Sequence, residues 1–242
     1  MTKLSVNVNK IALLRNSRGS NYPHLIGFTK KLIDIGVKGI TIHPRPDERH
    51  IKKQDARELS LLLKEHPNIE LNIEGYPSEE FLCLIEETLP DQCTLVPDSE
   101  DQLTSDHGWD FNEHGNFVDD TVKRLNNLGI RTVAFVDPSV EQVQLASKTS
   151  LNRIELYTES FAGSYGTPEE TKAFDKYLKC ADCAQRSGLG VNAGHDLNLC
   201  NLARFLQIPN ILEVSIGHAI VVESIEFGIS NVINKYHKIC GS

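Results

Sequence analysis

The 242-residue sequence predicts an α/β fold, a (β/α)8 TIM barrel with a closed, parallel, eight-stranded sheet and a single domain over residues 1–242. Three observations carry this. Eight short β-branched or apolar runs occur at 4–9, 39–43, 69–74, 93–96, 131–136, 153–157, 189–193 and 212–216. Between them lie segments with helical periodicity or helix punctuation, at the roughly 30-residue spacing of βα units. No long linker or shift in composition divides the chain. The competing architecture, a doubly wound open sheet, usually announces itself by a glycine-rich first turn. Here the first run ends Asn7-Val8-Asn9-Lys10, without that fingerprint.

Several helices have legible ends. Ser78 can cap a helix running through Phe81, Leu82 and Ile85 to Leu89, which Pro90 terminates. Asp137-Pro138 opens another directly after the fifth run. Thr167-Pro168-Glu169-Glu170 reads as a capping box with proline at the first helical position. Behind it Ala173, Phe174, Tyr177, Leu178, Ala181 and Ala184 form an apolar stripe that Gly188 closes.

Composition narrows the function classes. With 40% hydrophobic residues the chain can bury a core, and 25 Lys plus Arg against 33 Asp plus Glu leaves a net charge of −8. Such an acidic chain is a poor partner for a phosphate backbone, so nucleic acid is not expected. No run approaches the roughly 20 apolar residues of a membrane span. The segment MTKLSVNVNK lacks the apolar core of a signal peptide, so a cytoplasmic protein is expected. Its six cysteines then read as reduced thiols. Cys180 and Cys183 form a C-x-x-C inside the apolar-striped helix, with no second pair; packing accounts for it better than redox or metal chemistry.

A barrel of this kind keeps its chemistry at the C-terminal ends of its strands. Those ends carry Asn7, Asn9, His43, Arg45, Glu74, Asp98, Asp137, Glu155, His195 and His218, whereas the strand interiors read as Val, Ile and Leu. A lone strand-end carboxylate is more often a cap or ion pair; closure, however, brings all eight ends to one mouth. The polar stretch 98–116 is long for a βα connection and reads either as a surface excursion or as a lid. Three imidazoles (His43, His195, His218) with two carboxylates (Glu74, Glu155) suit repeated proton transfer near neutral pH. Arg18, Arg45 and His50 add positive charge at the rim, which fits an anionic, phosphorylated substrate. For Arg18 and Arg45 a salt bridge to a nearby carboxylate is an equal alternative. A catalytic metal is not expected, because Asn7-Val8-Asn9 stands where barrel metal hydrolases place an H-x-H pair.

At these residues the sequence resembles a known family. N-V-N-K-I-A-L-L-R-N-S-R-G (7–19), G-I-T-I-H-P-R-P-D-E-R-H-I (39–51), L-N-I-E-G (71–75), L-V-P-D (95–98), G-L-G-V-N-A-G-H-D-L-N (188–198) and I-G-H-A-I (216–220) are similar, in register, to the pyridoxine 5′-phosphate synthases. The resemblance implies a cytoplasmic, octameric enzyme without metal or organic cofactor. It would condense 1-deoxy-D-xylulose 5-phosphate with 3-amino-2-oxopropyl phosphate to pyridoxine 5′-phosphate, phosphate and water. It implies proton acceptors at His43 and Glu74, a proton donor at His195 and charge stabilisation by Glu155. Arg18, Arg45, His50 and Thr104 would hold the deoxyxylulose phosphate, and Asn7, Gly217 and His218 the aminoketone phosphate.

Two departures touch the site. Many members carry Asp-His where this chain has Asn9-Lys10, a pair that helps to bind the sugar phosphate; Asn keeps a hydrogen-bonding carbonyl and Lys a cation. Asp196 follows His195 where many relatives have glycine, either as the cap of the next helix or as a negative charge beside the imidazole. Two other readings stay open. An isomerase or aldolase of the same fold would want a Schiff-base lysine at the rim, where only Lys10 stands. A barrel that only binds ligands would not need the full acid–base set.

Overall fold

The structure, a computed structural model, describes residues 1–98, 102 and 104–241. Eight strands, β1 (Lys3–Asn7), β2 (Gly39–Ile42), β3 (Glu70–Gly75), β4 (Gln92–Leu95), β5 (Arg131–Val136), β6 (Arg153–Tyr157), β7 (Gly190–Gly194) and β8 (Ile211–Ile216), close into one parallel barrel in sequential order. Closure runs through β1 and β8, with Lys3 opposite Glu213 and Val6 opposite Ile216. Every expected run holds a strand, and the boundaries move by no more than two residues.

Among the described residues eleven helices accompany the strands: α1 (Asn9–Asn16), α2 (Leu25–Asp34), α3 (Lys53–Lys64), α4 (Glu79–Thr88), α5 (Phe111–Asn126), α6 (Val140–Ala146), α7 (Glu159–Ser164), α8 (Glu170–Arg186), α9 (Leu202–Phe205), α10 (His218–Phe227) and α11 (Ile229–Cys240). Three of them, α1, α7 and α10, are extra, each lying between a strand end and the following helix. They thicken the face on which the chemistry is expected.

The period of two along each strand sorts side chains to two sides. Leu4, Val6, Ile40, Ile42, Leu71 and Ile73 join the core under the helices. The alternate residues fill the barrel, and here the structure corrects the reading of apolar strand interiors. Ser5 and Thr41 hydroxyls lie 2.7 Å apart, Asn72 donates to Thr41 at 3.4 Å, and Thr94 donates to Asn72 at 3.0 Å. At the N-terminal end Arg131 donates to both Glu70 oxygens at 2.7 and 3.1 Å, and Lys3 pairs with Glu70 and with buried Glu213. Buried polar groups of this kind stand because each finds a partner.

Helix punctuation follows the sequence at α4, where the Ser78 hydroxyl accepts from Phe81 N at 3.2 Å and Leu89 takes a left-handed φ of 48° before Pro90. Replacing Ser78 with alanine should cost about 1 kcal/mol in denaturant unfolding; no measurable loss would remove the cap from the account. Elsewhere the starts move. Ser139, not Asp137, caps α6. The capping box at Thr167 is not formed as expected: α8 begins at Glu170, and Thr167 donates to Ser164 O within the preceding turn. The Thr167 hydroxyl accepts Glu169 N at 3.3 Å, and the Glu170 carboxylate accepts Gly166 N at 2.9 Å, one residue short of the Thr167 N–H that a box would engage. The apolar stripe holds, since Phe174, Tyr177, Ala181 and Ala184 are buried, and Cys180 is buried with them. All six cysteines are free thiols. The long connection ends sooner than 116, because Asp110 accepts Asn112 N at 2.9 Å and α5 starts at Phe111. Of that connection, 99–101 and 103 lie outside the described residues.

Candidate active site

The C-terminal mouth collects the expected groups on backbone that the sequence shapes closely. At β1, Asn7 Oδ1 accepts Asn9 N at 2.9 Å, and Asn9 Oδ1 accepts His43 N at 3.0 Å from the end of β2. Each amide thereby keeps its NH2 available to donate to a ligand. Gly217 follows β8 against Asn7: a Cβ there would lie 2.9 Å from Asn7 Cβ and 3.0 Å from its carbonyl oxygen. Only glycine lets the two strand ends meet so closely. His218 then opens α10 as an exposed residue at the rim, and among the described residues no side chain caps this helix start, where barrels of this fold often hold phosphate.

His43 and Glu74 form the centre, with Nδ1 4.0 Å from Oε2 and both side chains largely buried. Burial, then the charges of Asp98 and Glu213, pushes the Glu74 carboxyl up to about 8, against an opposing pull from Arg45. Glu155 on β6 is 3% exposed and is driven well above the usual carboxylate range by burial and by Glu74 and Glu213. Gly194 makes room for it, since a Cβ at that position would stand 2.2 Å from Glu155 Oε1. His43 is pulled well below the usual imidazole range by burial and then by Arg45, His50 and Arg49, and His50 falls to about 4 for the same kinds of reason. Burial thus disfavours charge on the imidazoles and the carboxyls alike, and carboxyls shifted upward beside imidazoles are groups suited to acid–base work.

Arg45 settles one open alternative in this structure. It is 4% exposed and donates from Nη2 to Asp98 Oδ2 at 2.5 Å, and Ser105 donates to the same oxygen at 2.7 Å. Among the described residues Asp98 Oδ1 is buried without a hydrogen-bond partner. Arg45 has five N–H donors, so the ion pair leaves others for an anion.

His195 sits in an unusual backbone. It has φ of 93° and Asp196 follows at 57°, both in the left-handed half of the map that residues other than glycine seldom enter. The buried Thr158 at the end of β6 supplies the restraint: its hydroxyl donates to Gly194 O at 2.8 Å and also to His195 O. The imidazole is held on three sides, by Thr104 Oγ1 3.1 Å from Nε2, by Asp196 Oδ2 3.2 Å from Nδ1, and by the edge of Tyr157 with ring centroids 4.9 Å apart. Asp196 therefore pairs with His195 and does not cap a helix; α9 starts later, after Asn201, and the Asp196 carbonyl accepts Asn201 Nδ2 at 3.1 Å.

Two expected members stand apart. Arg18 is exposed in the turn after α1, and its guanidinium has no hydrogen bond or ion pair among the described residues. Lys10 is exposed on α1, near enough to His50 for its charge to act on it. Sequence reasoning missed Tyr157, Thr158 and Ser105. Tyr157 was legible, because it lies two residues beyond Glu155 on the same strand and so points to the same side. Thr158 and Ser105 act through contacts far apart in sequence and left no local signal. Among the described residues no three His, Cys, Asp or Glu side chains converge as a metal-ligand set.

Known proteins resemble this chain over nearly its whole length. The sequence profile of a family described as "Pyridoxal phosphate biosynthesis protein PdxJ" matches residues 4–242. A pyridoxine 5′-phosphate synthase of Flavobacterium johnsoniae is 49% identical over 239 residues, covering 98% of this chain and 99% of that one. One from Agrobacterium fabrum is 44% identical over 244 residues, covering 99% and 97%. Among solved structures, a tryptophan synthase α-subunit from Pyrococcus furiosus superposes with a TM-score of 0.65 at 16% identity, over 100% of this chain and 98% of that one. A putative fructose-1,6-bisphosphate aldolase from Coccidioides immitis gives 0.66 at 10% identity, over 100% and 90%. At such identities the two structures speak for the barrel fold alone.

Proposed function

Because the chain belongs to the PdxJ family of pyridoxal phosphate biosynthesis proteins, its activity is that of a pyridoxine 5′-phosphate synthase, and we propose that the groups at the barrel mouth carry it out. The reaction joins 1-deoxy-D-xylulose 5-phosphate and 3-amino-2-oxopropyl phosphate and releases phosphate and water. An amine attacks a ketone, a carbinolamine loses water, a phosphate leaves, and an aldol-type step closes an aromatic ring. Each step moves a proton, so several positioned acids and bases serve better than one strong nucleophile.

The observation that carries this reading is the His43–Glu74 pair, 4.0 Å apart, with the buried Glu155 coupled to it by charge. Glu74 and His43 take protons from the reacting carbon and nitrogen centres. His195, held by Thr104, Asp196 and Tyr157, returns one to the departing oxygen. Glu155 balances the positive charge that develops on the condensing nitrogen. Arg45, His50 and Thr104 hold the deoxyxylulose phosphate, with Asn9 and Lys10 in support. Asn7, Gly217 and the N–H of His218 hold the aminoketone phosphate, and Arg18 keeps its place in this scheme on family resemblance alone. Aromatisation makes the sum downhill.

The reading extends to setting. We place the enzyme in the cytoplasm; among the described residues no helix is long and apolar enough to cross a membrane. We also propose a homo-oligomer, eight subunits by resemblance, and the exposed Val222, Ile225 and Phe227 on α10 support association. Light scattering of the purified protein tests that. The activity itself is tested by incubating purified protein with both phosphates and following pyridoxine 5′-phosphate by mass spectrometry and released phosphate by colour. Both products are expected; their absence from a folded sample would overturn the reading.

A further inference from the structure

A buried ion pair beside the mouth uses none of the residues given a chemical role above. Arg15, 7% exposed in the last turn of α1, donates from both terminal nitrogens to the two Asp55 oxygens at 2.6 and 2.8 Å. Such a fork fixes direction as well as distance. The same guanidinium reaches His50 O at 3.1 Å. Its neighbour Asn16 accepts from Arg15 Nε at 3.0 Å and spreads its NH2 over the carbonyls of Glu48, Arg49 and His50, at 3.4, 3.1 and 2.8 Å. Asp55 also accepts Lys52 N at 2.8 Å, which fixes the start of α3.

The other end of α1 holds the same stretch of chain, because Asn9 Oδ1 accepts His43 N at 3.0 Å. Both ends of one short helix thus grip the connection between β2 and α3. That connection has no regular structure of its own beyond a turn, in which Glu48 N donates to Arg45 O at 3.0 Å with Pro46 at the second position and Glu48 at φ 50°. It carries Arg45 and His50. An eight-residue helix is a rigid rod of about 12 Å, whereas a free surface connection is mobile. A buried ion pair adds little net stability over apolar residues of the same volume, so its fixed geometry is what it contributes.

We infer that α1 is a splint for the β2–α3 connection, and that Arg15, Asn16 and Asp55 are positioning residues that aim Arg45 and His50 at the substrate phosphate. The inference rests on the assignment of Arg45 and His50 to the deoxyxylulose phosphate. Arg15 is not itself an anion ligand, since Nε, Nη1 and both directions of Nη2 are already given to Asn16, Asp55 and His50 O.

Asn16→Asp is the sharpest test. It keeps the size and the acceptor for Arg15 Nε, removes the donors, and sets a carboxylate against three carbonyls. The KM for 1-deoxy-D-xylulose 5-phosphate should rise about tenfold or more, while the KM for 3-amino-2-oxopropyl phosphate and kcat change by less than about threefold. Hydrogen exchange of the amides between 45 and 52 should accelerate. Arg45→Ala run in parallel separates two failures. If it raises the KM for the deoxyxylulose phosphate while Asn16→Asp alters neither that KM nor the exchange, the splint is wrong. If Arg45→Ala leaves that KM unchanged, the substrate assignment is wrong, and the exchange rates alone decide on the splint. An equal rise in both KM values marks a merely structural role and overturns the inference. Should Asn16→Asp not fold, Asn16→Ala, which adds no charge, is measured in the same way.

Discussion

Glu74→Gln is expected to lower turnover by about 10³-fold, within the range a lost general base commands, while the protein stays folded. The isostere fits the space, and among the described residues the Glu74 carboxyl makes no hydrogen bond that glutamine would break; its Oε2 lies 4.0 Å from His43 Nδ1. The loss should therefore sit in kcat, with circular dichroism and gel filtration unchanged. A variant that keeps a tenth of the activity would move the base role to His43.

The same variant should be the more stable protein, and the sign follows from burial. The Glu74 carboxyl is raised from its ordinary 4.5 to about 8 in the fold. Between those values the folded chain holds a proton that the unfolded chain has lost, so the contribution is full below 4.5 and disappears as pH rises through 8. At about 1.4 kcal/mol per pH unit, a few kcal/mol are involved, shared with Glu155. Glutamine is neutral throughout. The gap in Tm between Glu74→Gln and the parent protein should thus open steadily from pH 5 to pH 8 in favour of the variant. His43 and His50, both lowered, act in the opposite direction and weaken the fold as pH falls below 6.5, in both proteins alike. A gap that stays flat with pH would mean that Glu74 is ionised in the resting fold. For catalysis the same ionisation predicts that kcat/KM climbs with pH toward 8, a limb that belongs to the Glu74–Glu155 pair.

The barrel was legible because its signal is local. Each strand is a short β-branched or apolar run, several covering helices carry their own punctuation, and eight repeats in register leave one closed topology. The mouth was legible for the same reason: closure turns eight separate strand ends into one rim, so His43, Glu74, Glu155 and His195 needed only the fold to meet. What escaped depends on residues distant in sequence. The polar lumen, from Ser5 to Thr41 to Asn72 to Thr94, is hidden because each hydroxyl or amide looks isolated within its own strand. Asp196 reads as a cap by type and position, yet its φ of 57° turns the side chain to His195. The early start of α5 was available from Asp110 and the spacing of Phe111, Val118, Val122 and Leu125, but Gly115 and the run of charge masked it. Arg15 sat within a motif that the resemblance quoted, without a role, since its partners lie 35 and 40 residues away.

The second large effect is expected at Gly108, in the connection that carries Thr104 and Ser105. A Cβ there would stand 2.2 Å from Asp137 N and 2.6 Å from Val136 C and Cα, all backbone at the end of β5, where nothing can swing aside. Next to it Trp109 donates its backbone N–H to Phe135 O and its indole N–H to Leu95 O, both at 2.9 Å, which clamps the connection onto β4 and β5. Gly108→Ala must lift this clamp. Overpacking against backbone should cost about 1–3 kcal/mol of stability. The displacement also travels to the chemistry: Phe135 packs on Tyr157, Tyr157 packs on His195, and Thr104 bonds the same imidazole from the connection itself. A shift of about 1 Å there is enough to lower turnover ten- to a hundredfold in protein that is still folded. The chain supplies its own reporter, because Trp109 is its one tryptophan and is buried. Its emission should move to longer wavelength in Gly108→Ala at a temperature well below unfolding, together with the loss of kcat. If turnover falls while the emission stays in place, the damage does not pass through the clamp; if both stay unchanged, the connection does not hold His195 at all.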